Sequence, residues 1–148
     1  MLHFSGASQH SLDDKGRLIL PKRFLDVLAT EGRQKLVLTA GFEGCLLLMD
    51  VDRWQEITRS LGEAVMVTKE QRAQRRMFVG LAEEVEPDKA GRITITDAQR
   101  AAVGLEKNNL VTVLGMGESI EVWERNKWSE VLREATQSAF FTSERKVG

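Results

Sequence analysis

The sequence predicts an α+β chain in which one small β-rich module, a barrel or hairpin unit with short helices, occurs twice about a helical linker. Three observations lead there: an internal repeat at nearly constant spacing, a glycine-bearing Asp-x-x-x-Arg turn in each copy, and short aliphatic strands alternating with amphipathic helical segments. Phe4-Ser5-Gly6 recurs as Phe78-Val79-Gly80, and Asp13 to Leu20 recurs as Asp88 to Ile95. Leu38 to Gly41 recurs as Thr112 to Gly115, and Trp54 as Trp128. The offsets are 74, 75, 74 and 74 residues, so one inserted residue and one deleted residue account for all four. The expected organisation is a first module over residues 7–54, a helical linker over 55–80, a second module over 81–125, and a C-terminal helix and tail over 126–148.

Each copy runs through the same elements. A short strand ends at the turn, where Gly16 and Gly91 can take a positive φ at little cost. A second strand follows, Arg17 to Leu20 and Arg92 to Ile95, with aliphatic and β-branched residues suited to a pleat. A short helix comes next, with Pro21 as a first helical residue in one copy and Thr96 as an N-cap in the other. Lys35–Thr39 with Cys45–Met49, and Leu110–Leu114 with Ile120–Trp123, bracket glycine-containing loops and read as hairpins. A helix with a tryptophan near its start closes each copy, with Asp52 and Asn126 as the expected caps. Trp54, Ile57 and Leu61, and Trp128, Val131, Leu132 and Ala135, lie at helical spacing, so the tryptophans are expected as core anchors. In the linker, Thr68-Lys69-Glu70-Gln71 is a capping box that starts a helix towards Met77 and presents Arg72, Arg75 and Arg76. Ser138 to Gly148 has no apolar period and is expected to fray. A unit of about 45 residues cannot bury enough apolar surface by itself, so the copies must pack on each other or exchange elements.

Composition excludes several function classes. At 148 residues with 42% hydrophobic and 29% charged residues, the chain reads as a globular protein. No run of about 18 apolar residues and no basic-then-apolar N-terminus is present, so a cytoplasmic location without a membrane partner is expected. Cys45, the single cysteine, lies in an apolar run and is expected as a buried thiol. His3 and His10 have no carboxylate or cysteine at ligand spacing, so neither a metal site nor a cofactor is expected. The net charge of −1 hides an uneven distribution. Lys plus Arg against Asp plus Glu number 7 and 7 in residues 1–54, 5 and 3 in 55–80, and 9 and 12 in 81–148. Acid gathers in the second half, which leaves room for a basic surface elsewhere.

Lys15, Arg17, Lys22 and Arg23 fall within nine residues, around one turn and the helix start behind it. Strand alternation sends Arg17 and Ile19 to one face and Leu18 and Leu20 to the other. Asp13 can hold the Arg17 guanidinium by a bidentate contact, and a preorganised arginine loses less entropy on meeting a phosphate or a guanine edge. The second copy keeps Asp88, Gly91 and Arg92, but Thr96, Asp97 and Ala98 stand where the first has Pro21, Lys22 and Arg23. Glu83, Glu84 and Glu86 precede it. The expectation is that the first copy reads DNA while the second chiefly completes the fold and the oligomer contacts.

With Asp13 to Arg17 and Asp88 to Arg92 as two Asp-x-x-x-Arg motifs, Asp14 to Pro21 around the first, and Ile120 to Trp123 late in the second copy, the chain resembles the MraZ family of the AbrB-like (SpoVT-AbrB, swapped-hairpin) superfamily. The resemblance covers nearly the whole chain; Thr96-Asp97 departs from a pattern that often has proline and sometimes a basic residue. It implies a nucleoid-associated transcription regulator of the division and cell-wall gene cluster. Such a protein binds double-stranded DNA at direct repeats upstream of its own operon and associates into a ring-like homo-oligomer. Lys15 or Arg17 would read bases, with Lys22 and Arg23 on phosphates.

Two other readings compete. An enzyme acting on a small-molecule substrate is disfavoured: neighbouring carboxylates such as Asp13 and Asp14 point to opposite strand faces, and no nucleophile-base pair, phosphate loop or cofactor fingerprint is present. A protein-interaction scaffold or antitoxin of the same fold, without direct DNA readout, would account for the acidic second half and the basic linker helix as complementary surfaces.

Overall fold

The computed structural model describes residues 2–32, 35–62 and 68–147, with side chains described as far as Ala139. The first copy supplies β1 (Ala7–Ser11), β2 (Arg17–Ile19), α1 (Lys22–Thr30), β3 (Leu36–Ala40), β4 (Leu46–Asp50) and α2 (Val51–Ser60). After α3 (Lys69–Phe78) the second copy supplies β5 (Glu83–Val85), β6 (Arg92–Thr94), α4 (Asp97–Val103), β7 (Leu110–Gly115), β8 (Ser119–Glu124) and α5 (Arg125–Val147).

The copies exchange strands. A six-stranded antiparallel sheet runs β1-β7-β8-β4-β3-β5, and β2 pairs with β6 in a separate two-stranded ribbon. Counterparts sit at mirrored places about the central β8-β4 pair, where Leu46 faces Val122 and Leu48 faces Ile120. β1 of the first copy lies on β7 of the second, and β5 of the second lies on β3 of the first. A module too small to bury its own apolar face completes it with the other's strands.

Alternation divides the large sheet into two faces. Leu36, Leu38, Leu46, Leu48, Val111, Val113, Ile120 and Val122 join one core with Leu18, Leu20, Ile93 and Ile95 of the ribbon region, Phe24 and Leu28 of α1, and Val103 and Leu105 around the end of α4. The opposite face carries α2 and α3 over β3 and β4, and α5 over β7 and β8: the Thr39 hydroxyl donates to the Phe78 carbonyl oxygen at 2.7 Å, and the Trp123 and Trp128 rings meet at 6.4 Å. Gln99, fully buried, donates from its amide nitrogen to the carbonyl oxygens of Leu38 and Leu81, both at 2.9 Å, and so ties α4 to the sheet. Cys45 is buried, and burial pushes its thiol up to about 12.

The capping box at Thr68 and Gln71 and the Thr96 cap, itself a box with Gln99, form as the sequence predicts. Elsewhere the helix starts differ. Asp50, not Asp52, caps α2 by accepting from the Arg53 N–H at 2.8 Å. Glu124, not Asn126, takes the N–H groups of Asn126 and Lys127, each at 3.0 Å. In both copies the strand runs straight into the helix, so its last carboxylate residue is the one adjacent to the free N–H groups. Pro21 precedes α1 by one residue, with its carbonyl accepting from Phe24 and Leu25. The C-terminal segment expected to fray is helical through Val147. Its Ala, Glu, Arg and Lys residues favour helix. Trp54 and Trp128 are half-buried on the helix-covered face; the fully buried indole is that of Trp123.

Candidate nucleic-acid interface

The ribbon of β2 and β6 is held to the core by one face only. Leu18 and Ile93, directly opposite each other, are 0% and 1% exposed. The alternate positions face outward: Arg17 is opposite Thr94, and Ile19 is opposite Arg92. Since opposed residues in an antiparallel pair share a face, these four side chains stand together on the solvent side.

Both arginines are tethered in the same way. Asp13 Oδ2 accepts from Arg17 Nε at 2.7 Å, while Oδ1 accepts from the backbone N–H groups of Arg17 at 2.8 Å and Lys15 at 2.9 Å. Asp88 Oδ2 accepts from Arg92 Nε at 2.8 Å, with Oδ1 on the N–H groups of Arg92 at 2.9 Å and Ala90 at 3.0 Å. The contact is therefore not the bidentate grip on the guanidinium that the sequence suggested. One carboxylate oxygen closes the turn and the other takes Nε, which leaves the terminal guanidinium nitrogens for an external acceptor. Asp13 sits at about 2, below the ordinary 3.8, chiefly because the Arg17 backbone N–H holds its charged form; the Arg17 side chain and the Lys15 N–H add to this against some desolvation. Asp88 is lowered too, again led by the backbone N–H, here of Arg92.

A depressed folded-state pKa stabilises the fold above the unfolded value and is lost as pH falls through the folded one. For Asp13 that window runs from about 3.8 down to about 2, so the turn is insensitive to this group at neutral pH. Asp13→Asn is accordingly expected to lower stability at pH 7 and to differ less from the parent as pH approaches 2. Denaturant midpoints of the two proteins across this range check it; an unchanging gap would contradict the assignment.

The basic residues are divided between the two ends of the ribbon. Leu20 N–H donates to Gly91 O at 3.0 Å, so the chain leaving β2 enters α1 beside the second turn, not the first. Ile95 N–H donates to Gly16 O at 3.0 Å, which brings Thr96 and Asp97 beside the first. The sequence grouped Lys15, Arg17, Lys22 and Arg23 around one turn. The structure leaves Lys15 and Arg17 at one end and brings the start of α1, with Lys22, to the other, where Lys89 and Arg92 stand. Lys15, Lys22 and Arg23 are exposed, but the Arg23 guanidinium lies 5.1 Å from the Phe24 ring centroid and against Gly6, on the N-terminal side. Glu83 and Glu84 belong to the large sheet, and Glu84 and Glu86 line a surface depression with Lys35, Asp50 and Asp52. The second turn is thus less acidic in space than in sequence.

Each turn rests on the other copy. Gly16 has φ +75° with the Arg100 guanidinium against it; Gly91 has φ +82° with Leu25 beneath it. Arg100 is 7% exposed and donates to Ile95 O and Asp97 Oδ1. A β-carbon at Gly16 would run into that held guanidinium and lie 3.2 Å from Ile95 O, whereas at Gly91 it would meet the movable tip of Leu25 at 2.6 Å. Gly16→Ala is therefore expected to destabilise by more than the ~1–2 kcal/mol of a left-handed backbone alone, and by more than Gly91→Ala. Thermal unfolding of the two variants checks the order.

Sequence reasoning named Arg92 only as a motif residue and gave no role to Ile19 or Thr94. The available signal was parity: if the two motif strands pair with each other, their alternate residues must share one face.

A family model described as "MraZ protein, putative antitoxin-like" matches residues 3–77 and again 77–148. The chain belongs to the MraZ family. It is 37% identical over 136 residues to "Transcriptional regulator MraZ" of Acetivibrio thermocellus, a match covering 92% of this chain and 91% of that protein. The two matches to the MraZ model divide the chain at residue 77, in the linker helix α3, as the repeat does. Among the described residues no helix is long and apolar enough to cross a membrane, and no group of three His, Cys, Asp or Glu could hold a metal ion.

Proposed function

We propose that this MraZ-family chain is a DNA-binding transcription regulator whose β2-β6 ribbon enters the major groove. The observation that carries it is the pair of tethered arginines, Arg17 and Arg92, on one outward face of a ribbon backed by Leu18 and Ile93. The major groove is wide enough for a two-stranded ribbon, and arginine is the commonest reader of a guanine edge. Lys15, Lys89 and Lys22 flank the ribbon at its two ends and would contact phosphates, with Arg23 further out beside the N-terminal segment. Recognition in this reading belongs to both copies, and the motif residues Asp13, Gly16, Asp88 and Gly91 serve to set the arginines. Boundaries near 7–54 and 81–125 describe sequence copies rather than independent folding units.

The name of the Acetivibrio relative supports a role in transcription. A target in direct repeats upstream of the chain's own operon, in the division and cell-wall cluster, and a ring-like homo-oligomer on the nucleoid are the finer form of the proposal. Met116 at 53% and Leu132 at 49% exposure leave apolar surface on the second copy for self-association, and several ribbons on repeated boxes would gain by effective concentration.

A mobility-shift titration on the chain's upstream region at two salt concentrations tests this. Binding is expected to weaken steeply with salt, and Lys15→Ala to reduce the log-log slope by ~0.9 as one phosphate contact is lost. No shift at low salt would favour the scaffold reading instead.

A further inference from the structure

We propose that Ile19 is a specificity-determining residue that reads the 5-methyl group of thymine in the major groove; this rests on the ribbon reading above. The large apolar side chains exposed among the described residues are Ile19, Phe42, Leu110, Met116 and Leu132, and Ile19 is the one on the ribbon. It is 52% exposed between Leu18 and Leu20, which are 0% and 1% exposed, so alternation holds it outward while both neighbours anchor the strand. A single exposed isoleucine has no meaning by itself. Here it stands two residues along from Arg17 and directly opposite Arg92, between two guanidinium groups that are each fixed by a carboxylate.

Four features suit it to a methyl group. β-branching restricts its χ1, so little side-chain freedom is lost on contact. Its alkyl arms have no hydrogen-bonding capacity, and the thymine methyl is the apolar feature of the major-groove edge. Two residues along a strand span about 6.6 Å, close to two base-pair steps of about 3.4 Å. For a ribbon lying along the groove, an arginine on a guanine edge then places Ile19 about two base pairs away. Finally, the equivalent position in the second copy is Thr94, opposite Arg17, which adds a hydroxyl to its methyl. The two halves of the ribbon are therefore chemically unequal beside their arginines, and the bound sequence has a polarity although the backbone is nearly two-fold.

The test uses the full chain and a duplex that it selects from a random-sequence double-stranded pool. That duplex is remade with deoxyuridine replacing thymidine at one position at a time, which removes only the methyl group and keeps every hydrogen-bonding atom. At one or two positions the replacement is expected to weaken binding by about threefold to tenfold, the size of burying one methyl group. Ile19→Ala is expected to bind the thymine duplex weaker by a similar factor and to lose the distinction between thymine and uracil at one of those positions. Ile19→Val should retain it. The inference is overturned if the parent tolerates uracil everywhere, or if Ile19→Ala discriminates as the parent does. A chain that selects no duplex, or an Arg17→Ala/Arg92→Ala variant that binds the selected duplex undiminished, would remove the ribbon reading and this inference with it. Because Ile19 is outward, unchanged thermal unfolding of Ile19→Ala separates lost contact from lost fold.

Discussion

Arg17→Ala and Arg92→Ala are each expected to weaken DNA binding by about one to two orders of magnitude, and the double change to remove specific binding. A bidentate arginine-guanine contact discriminates by ~1–3 kcal/mol, about fivefold to 150-fold at 1.4 kcal/mol per decade. The tether at Asp13 or Asp88 adds to this by holding the guanidinium in place before contact. Both arginines are at least a quarter exposed, so removing them costs little stability. Fluorescence anisotropy on one selected duplex, with unfolding curves beside it, makes the measurement. Comparable losses from the two single changes would show one ribbon acting as a unit. A loss confined to Arg17→Ala would restore the division of labour drawn from the sequence, in which the second copy only completes the fold.

Phe24→Ala is expected to give a large loss of stability, about 3–5 kcal/mol for a buried phenylalanine. The ring is 1% exposed, meets Phe4 edge-on at 5.3 Å, and lies in the core shared by the ribbon and the large sheet. At roughly 2–4 °C per kcal/mol for a chain of this size, the midpoint should fall by about 10 °C or more. Lys107→Ala, at an exposed site, should stay within about 0.5 kcal/mol of the parent. Similar midpoints for the two variants would contradict the placement of the core.

Much of this architecture is legible from local chemistry. The repeat, the positive-φ glycines at 16 and 91, the outward parity of Arg17 and Ile19 against Leu18 and Leu20, and the capping box at Thr68 each depend on a few neighbouring residues. The helix caps at Asp50 and Glu124 were missed by two residues because a strand that runs directly into a helix leaves no loop to mark the junction. The part of α5 beyond Ser138 was missed because periodicity reports packing, and the helix is already exposed from Leu132 to Ala139.

What the sequence by itself determined is which residues face outward on each strand and which turns fix an arginine, since alternation and turn chemistry are properties of consecutive residues. The choice of partner strand was decided only by the tertiary structure, because a period of two names a face and never a neighbour. Pairing β2 with β6 put Arg92 beside Ile19, carried Lys22 to the opposite end from Lys15, and set Arg100 beneath Gly16. The pairs Ile19 with Arg92 and Gly16 with Arg100 join residues 73 and 84 positions apart, and they follow from two modules too small to close a core except through each other.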